Sequence, residues 1–461
     1  MQAHCTYGVE LWSSEDYSCW TDPLGAAVWA SEVNSQWIGG NITLISAWHL
    51  VNAAYPTVSF WNEGIISASQ PWSGHFVAAP TVWASAHTTQ FTTPGESWYL
   101  PQGKGAGALQ GGGSYVSFSN AARSLLTIVI ESAGAAVAPF CDSNCNGVCA
   151  LSAATANQTA TFALANLKLK TGASLALWRT KLGAAVYNEA QVFEQLPDAS
   201  INNGAVTITV EPDCIYTLST QRTATKAGNK PLEIPASEKF PLPFRDDFED
   251  TDRPLSAPGK YWADMDGGFE VAMSACLGVD QAPNRVLKQS VRVERCCNFI
   301  PALDGPMPIS IVGAASWENV AGSVAISLPP DDAGSFALFG LRAKFAAGSF
   351  FHGGLGLPTG IFAAVDGEGL QLIGAVADAA KGLVWPCAAG SRCLGSIVFS
   401  KPGRGVWRRI SLSAAVRTLR YSCSDEGTAT TKTMTMTLPA GMATGAGFGA
   451  IAASYGSAVE L

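Results

Sequence analysis

Leu11-Trp12-Ser13-Ser14-Glu15-Asp16-Tyr17-Ser18 is the stretch whose reading decides the fold. Residues 11–14 predict a strand, and that strand runs directly into two carboxylates. Further on, residues 39–55 (GGNITLISAWHLVNAAY) carry Ile42, Ile45, Trp48 and Val51 at helical spacing after a glycine pair, which predicts a helix. A strand, a helix and another strand in succession are the grammar of an α/β barrel. In such a barrel a strand that ends in a carboxylate presents it at the mouth, where barrel enzymes keep their sites. Ser13 and Ser14 leave room there for a ligand and for hydrogen bonds to Glu15. The plainer alternative is that Ser14 or Asp16 caps the N-terminus of the next element.

Outward from this stretch the pattern changes after Pro94. Residues 115–118 and 126–130 flank a turn, and 161–164, 174–178, 206–210 and 215–218 follow, each short, alternating and bounded by Gly, Asn or Pro. That spacing predicts a β-sandwich. Residues 221–244 hold four prolines among Lys, Glu and Ser with no periodic apolar face, and read as a linker. From Arg245 a second all-β stretch begins, clearest at 309–312, 324–328, 336–341 and 407–412. The expected order is a partial α/β barrel (1–94), a β-sandwich (95–220), a linker (221–244) and a second β-sandwich (245–461).

Composition narrows the function. Only 14% of the 461 residues are charged, against about 25% in an average soluble domain, so the surface is unusually neutral. The net charge is −8 and no segment gathers Lys and Arg, which argues against nucleic-acid binding. No run of about 18 uncharged apolar residues exists, because Glu131 interrupts the best candidate, so no transmembrane segment is expected. The start, Met1-Gln2-Ala3-His4-Cys5, has neither the basic nor the apolar region of a secretory signal, and no leader is expected there. Fourteen tryptophans on a weakly charged chain suit stacking against sugar rings, although core packing is the commoner use.

Of the twelve cysteines, Cys141, Cys145 and Cys149 recur every four residues without a fourth metal ligand nearby, so disulfides in a secretory compartment are the better reading. The sequons Asn41-Ile42-Thr43 and Asn157-Gln158-Thr159 agree with that compartment. Trp48 and Trp72 are the stacking candidates, each with a core role as its alternative. His87 has no nucleophile elbow beside it and reads as a structural, hydrogen-bonded histidine. Glu63, in Trp61-Asn62-Glu63, imitates a glycosidase acid/base motif but follows Glu15 instead of preceding it, and reads as a loop residue. Gly111-Gly112-Gly113-Ser114 lacks the Lys of a phosphate loop and precedes a strand, so it reads as a hairpin entry.

Taken together, LWSSEDYS (11–18), SAWHLV (46–51), PWSGHFV (71–77), VWASAHTTQFTTPG (82–95), GGSYV (112–116), LWRTKLG (177–183) and FRDDF (244–248) resemble glycoside hydrolase family 59, which removes galactose from galactosylceramide. The resemblance is close over residues 8–223 and thins through the second sandwich. It implies the C-terminal part of an (α/β)8 TIM barrel, a β-sandwich and a lectin-like, jelly-roll β-sandwich. It further implies a retaining mechanism with Glu15 as nucleophile, Ser18 and Trp48 lining the galactose pocket, and Phe60 standing where the family has a tyrosine. Catalysis would need no cofactor. Calcium would bind near Asp247 and Glu249 in the lectin-like part. A saposin-like lipid-presenting partner and a lysosomal or vacuolar location follow from the same resemblance.

The departures from the family are specific. Its acid/base glutamate lies several strands before the nucleophile and has no counterpart here, so an N-terminally truncated chain is expected. Its substrate-binding arginine is Ala138, and its disulfide between barrel and sandwich would fall on Val28 and Ala136. Two functions are therefore carried forward: a galactosylceramide-cleaving retaining hydrolase, and a non-catalytic galactoside- or glycolipid-binding protein without a working barrel.

Overall fold

Residues 10–16, 23–56, 64–133, 154–169, 173–182, 191–226, 233–274, 284–291, 308–330, 335–344, 359–367, 370–376, 391–398, 405–425, 431–438, 445–454 and 458–460 are described by the structure, a computed structural model. Ser18, Phe60, Glu63, Ala136, Ala138, Cys141, Cys145, Cys149, Cys296, Cys297 and Cys387 lie outside the described residues. The chain divides into two units. One comprises Met1–Ala53, Trp61–Ser69 and Ser73–Ser237, and the other Ala54–Phe60, Gln70–Trp72 and Glu238–Leu461.

The first unit begins with a β-α-β passage: β1 (Leu11–Asp16), α1 (Pro23–Gly40) and β2 (Ile42–Ala47). β1 and β2 pair in parallel, Leu11 opposite Ile42 and Asp16 opposite Ala47. The helix expected over 39–55 is thus corrected. Gly39, Gly40 and Asn41 end a helix instead of starting one, with Asn41 at φ +48° and its N–H donating to the Trp37 carbonyl. The β-branched residues after Asn41 extend into β2 and then the short β3 (Val51–Asn52). The spacing of three misled because a strand in a parallel pair lacks the clean alternation of a half-exposed one. β3 pairs in parallel with β4 (Ile66–Gln70), which neighbours β5 (His75–Ala78), and α2 (Pro80–Thr89) follows with a proline in its first turn.

Nine further strands form one sheet along a curled path, with β7 off the path and paired to β8: β6 (Trp98–Leu100), β7 (Gly107–Ala108), β8 (Ser114–Ser119), β9 (Leu126–Glu131), β10 (Gln158–Ala163), β11 (Ser174–Lys181), β12 (Glu194–Asn202), β13 (Ala205–Val210) and β14 (Cys214–Ser219). β12 lets the path fold over, because its first part pairs with β11 and its last two residues pair with β13. Leu126, Ile128 and Ile130 of β9 then meet Phe162, Val206 and Ile208 across a common core. A second core joins α1 to the outer side of this path, through Ala26, Ala27, Val28 and Trp29 against Val116, Phe118, Val129 and Ile215. Val28, 1% exposed, is apolar packing there. Gly112 and Gly113, at φ +99° and +90°, turn the chain into β8 as the hairpin reading required. A Cβ on Gly113 would lie 2.2 Å from the Glu131 carbonyl oxygen.

The second unit places two seven-stranded sheets around one core. The first sheet is built from β15 (Ala263–Asp266), β18 (Ile309–Val312), β20 (Phe336–Lys344), β21 (Thr359–Asp366), β22 (Leu370–Val376), β23 (Ser391–Val398) and β27 (Phe448–Ala453). The other holds β16 (Phe269–Met273), β17 (Arg285–Gln289), β19 (Val320–Ser327), β24 (Arg408–Ala415), β25 (Thr418–Asp425), β26 (Thr431–Thr437) and β28 (Ala458–Glu460). Phe339, Leu341, Ile361 and Val365 face Val324, Ile326, Ile410 and Leu412 across the core. β26, T-K-T-M-T-M-T, contributes alternate residues: the threonines are exposed while Met434 and Met436 pack inward.

Candidate active site

Glu15 is the penultimate residue of β1, and its presentation comes from an irregularity in the strand. Ser13 lies opposite Ile45 and Asp16 opposite Ala47, so β1 spends three steps where β2 spends two. Such a bulge re-aims side chains, and here neighbouring carboxylates part company. Glu15 is exposed, whereas Asp16 is 8% exposed and accepts a 2.6 Å hydrogen bond from Nε2 of Gln36 on α1.

The Asp16 carbonyl accepts the Trp48 N–H at 2.8 Å, which ties the end of β1 to the segment leaving β2. Trp48 therefore belongs to a turn after a strand, not to a helix, and it is half-buried. A cis peptide links it to His49, whose ring lies on the indole with centroids 3.6 Å apart. Partial burial pulls the His49 imidazole below its ordinary range, while the nearby Glu15 charge acts in the opposite sense. Glu15, Trp48 and His49 are thus gathered at the C-terminal ends of two parallel strands, where a barrel keeps its chemistry. His49 was not singled out from the sequence, although it stands beside Trp48 in SAWHLV.

Behind β1, α1 supplies Glu32 and Gln36, one helical turn apart and both directed at Asp16. Burial, followed by the Asp16 charge and a hydrogen bond to it, pushes the Glu32 carboxyl up to about 7. A cavity of about 420 Å³ also lies on the helix side, lined by Trp29, Val33, Trp37, Ile45 and Glu131 among others, and it includes neither Glu15 nor Trp48.

The other sequence candidates separate by their contacts. Trp72 donates to the Glu238 carbonyl and packs edge-on against Phe240 and Tyr261, which is a core role. His87 is fully buried between two hydroxyls, Thr217 Oγ1 at 2.8 Å from Nδ1 and Thr180 Oγ1 at 2.7 Å from Nε2. The Thr217 hydroxyl already donates to the His87 carbonyl, so it accepts from Nδ1–H, and Thr180 donates to Nε2. The ring is a neutral, fully satisfied structural histidine, which burial pulls down to about 3.

Asp247 and Glu249 lie just after the linker and are held by local contacts. Asp247 accepts the Glu249 N–H and pairs with Arg245, and Glu249 accepts the Arg285 N–H. Among the described residues there is no group of three or more His, Cys, Asp or Glu that could hold a metal ion. Among the same residues no helix is long and apolar enough to cross a membrane.

The chain is similar to galactocerebrosidase of Mus musculus, 34% identical over 75% of this chain and 48% of that protein. It is 34% identical to galactocerebrosidase of Danio rerio over 68% of this chain and 44% of that protein. For Homo sapiens galactocerebrosidase the identity is 33%, over 75% and 48%. The chain thus spans about half the length of these relatives. The family models described as Glycosyl hydrolase family 59 and Glycosyl hydrolase family 59 central domain match residues 2–90 and 101–225, and the chain belongs to that family.

Proposed function

We propose that the chain carries the nucleophile side of a retaining β-galactosidase site that acts on galactosylceramide-type glycolipids. The observation that carries this reading is the bulge at the end of β1, which exposes Glu15 beside Trp48 while its neighbour Asp16 is anchored to α1. Glu15 attacks the anomeric carbon, the glycosidic bond breaks, and the sugar is held as a galactosyl ester until water releases it with overall retention. The leaving ceramide oxygen takes its proton from a second carboxyl, which retaining enzymes hold about 5 Å from the nucleophile. Two carboxyls suffice for this chemistry, and no cofactor enters it.

In this reading β1, α1 and β2 are the closing turns of an (α/β)8 barrel, supported by their parallel pairing. The curled path is its companion sandwich, and the second unit is the lectin-like part. Ser18 and Phe60 complete the galactose pocket with Trp48. A saposin-like protein that presents the lipid, and a lysosomal or vacuolar setting, accompany the proposal through the family resemblance alone.

The test is Glu15→Gln in the full gene product, assayed on galactosylceramide. Turnover is expected to fall by about three orders of magnitude or more with folding unchanged. Hydrolysis that survives the change would remove Glu15 from the mechanism.

A further inference from the structure

We propose that Glu32 is a positioning residue for Glu15: it shares one proton with Asp16 and so fixes the end of β1 that presents the nucleophile. The proposal rests on the reading of Glu15 as nucleophile, and its physical core stands on the geometry around Asp16.

Asp16 is the last residue of β1 and is 8% exposed. Three of its atoms set its surroundings. The backbone oxygen holds Trp48, and Oδ1 accepts from Gln36. Oδ2 is buried with no N–H or hydroxyl donor, and Glu32 Oε2 is buried in the same condition. Two ionised carboxylates cannot satisfy one another, because neither can donate. With a single proton between them, one becomes a donor, the other remains an acceptor, and both stranded oxygens gain a partner. Glu32 is hydrogen-bonded to Asp16 in this sense, and it is the member whose proton burial favours, up to about pH 7.

The groups facing this pair are few. From α1 Gln36 points at Asp16, and from β1 Asp16 is the one charged group among the described residues that acts on Glu32. His49, beyond β2, acts on Glu15 instead. Among the described residues no cation therefore acts on Glu32 to replace the proton once it leaves. Below about pH 7 the proton bridges α1 and β1. Above it, Glu32 releases the proton to solvent, two adjacent negative charges repel, and the bulged end of β1 keeps only its bonds to Gln36 and Trp48. The carboxyl pair thus adds its hold on Glu15 and Trp48 in acidic surroundings only.

The experiment has two readouts. The first is a carboxyl ¹³C NMR titration of the full chain labelled at Asp and Glu side chains, with Glu32 assigned from Glu32→Gln. The expected result is a Glu32 midpoint near pH 7. A Glu32 midpoint near the ordinary 4.5 would overturn the proposal.

The second readout is the pH profile of Glu15 labelling by a 2-deoxy-2-fluoro-β-galactoside with a dinitrophenolate leaving group, which needs no protonation to depart. Labelling of the native protein is expected to fall about ten-fold per pH unit above pH 7, as a single ionisation requires. Glu32→Gln, whose amide can donate to Asp16 at every pH, should remove that decline, and Glu32→Ala should label slowly throughout. A Glu32→Gln profile identical to the native one would overturn the proposal. Absence of labelling at Glu15 in the native protein would defeat the nucleophile reading, and the NMR step would then decide the proton-sharing pair by itself.

Discussion

Lowering the pH should destabilise the first unit through one residue, His87. Its ring has one donor and one acceptor, both matched: Nδ1–H to Thr217 and Nε2 from Thr180. A second ring proton would face the Thr180 oxygen, which already accepts the Phe193 N–H. Burial holds the folded-state value near 3, against 6.5 for a free histidine. The folded value is thus depressed, and the neutral ring stabilises the fold fully above pH 6.5. That contribution is lost as the pH falls below 6.5, where the unfolded chain takes up the proton and the folded one does not. At pH 4.5, two units below, the loss is about 3 kcal/mol. Glu and Asp side chains titrate in the same range, so native stability alone is not the readout. The comparison is with His87→Gln, which keeps hydrogen-bonding capacity between the two threonines and cannot titrate. Amide exchange protection of α2, β11 and β14 measures the local stability at pH 7 and 4.5. Native protein should lead the variant at pH 7, and that lead should shrink by about 3 kcal/mol at pH 4.5. A lead equal at both pH values would refute the reasoning.

Four further substitutions have definite expected outcomes. Gly113→Ala combines a φ of +90° with a Cβ set 2.2 Å from a backbone oxygen, so thermal unfolding should show a loss of about 2 kcal/mol or more. Arg408 is 1% exposed and donates to Asp425 at 2.8 Å, so Asp425→Ala should cost about 3–5 kcal/mol in urea unfolding, and Arg408→Met distinctly less, since it strands no charge. The Tyr55 hydroxyl donates to the Tyr261 carbonyl and accepts the Gly313 N–H, so Tyr55→Phe should lower the stability of the second unit by about 1–3 kcal/mol.

The strands of both units were legible because most have one buried face and short, Gly- or Asn-bounded spans. Residues 206–210 alternate buried and exposed positions, as their sequence pattern predicts. The two helices were not. α1 reads PLGAAVWASEVNSQWIGG, small and apolar nearly all round, because it is covered by the curled path and by α2 and leaves no polar stripe to betray its period. Missing α1 also hid Glu32 and Gln36, since two polar residues four apart have meaning only on a helix. Glu15 was legible as a carboxylate at a strand end. The bulge that separates it from Asp16 was not, because register depends on the partner strand and not on local sequence. His87 was legible as structural by elimination, while its two threonines come from strands 93 and 130 residues further on.

Covalent trapping tests the central claim most directly. The protein is incubated with 2,4-dinitrophenyl 2-deoxy-2-fluoro-β-galactoside, digested, and the modified peptide is located by tandem mass spectrometry. The expected result is one galactosyl ester on Glu15, absent from Glu15→Gln. A label on another carboxylate, or galactoside turnover with Glu15 unmodified, would contradict the account.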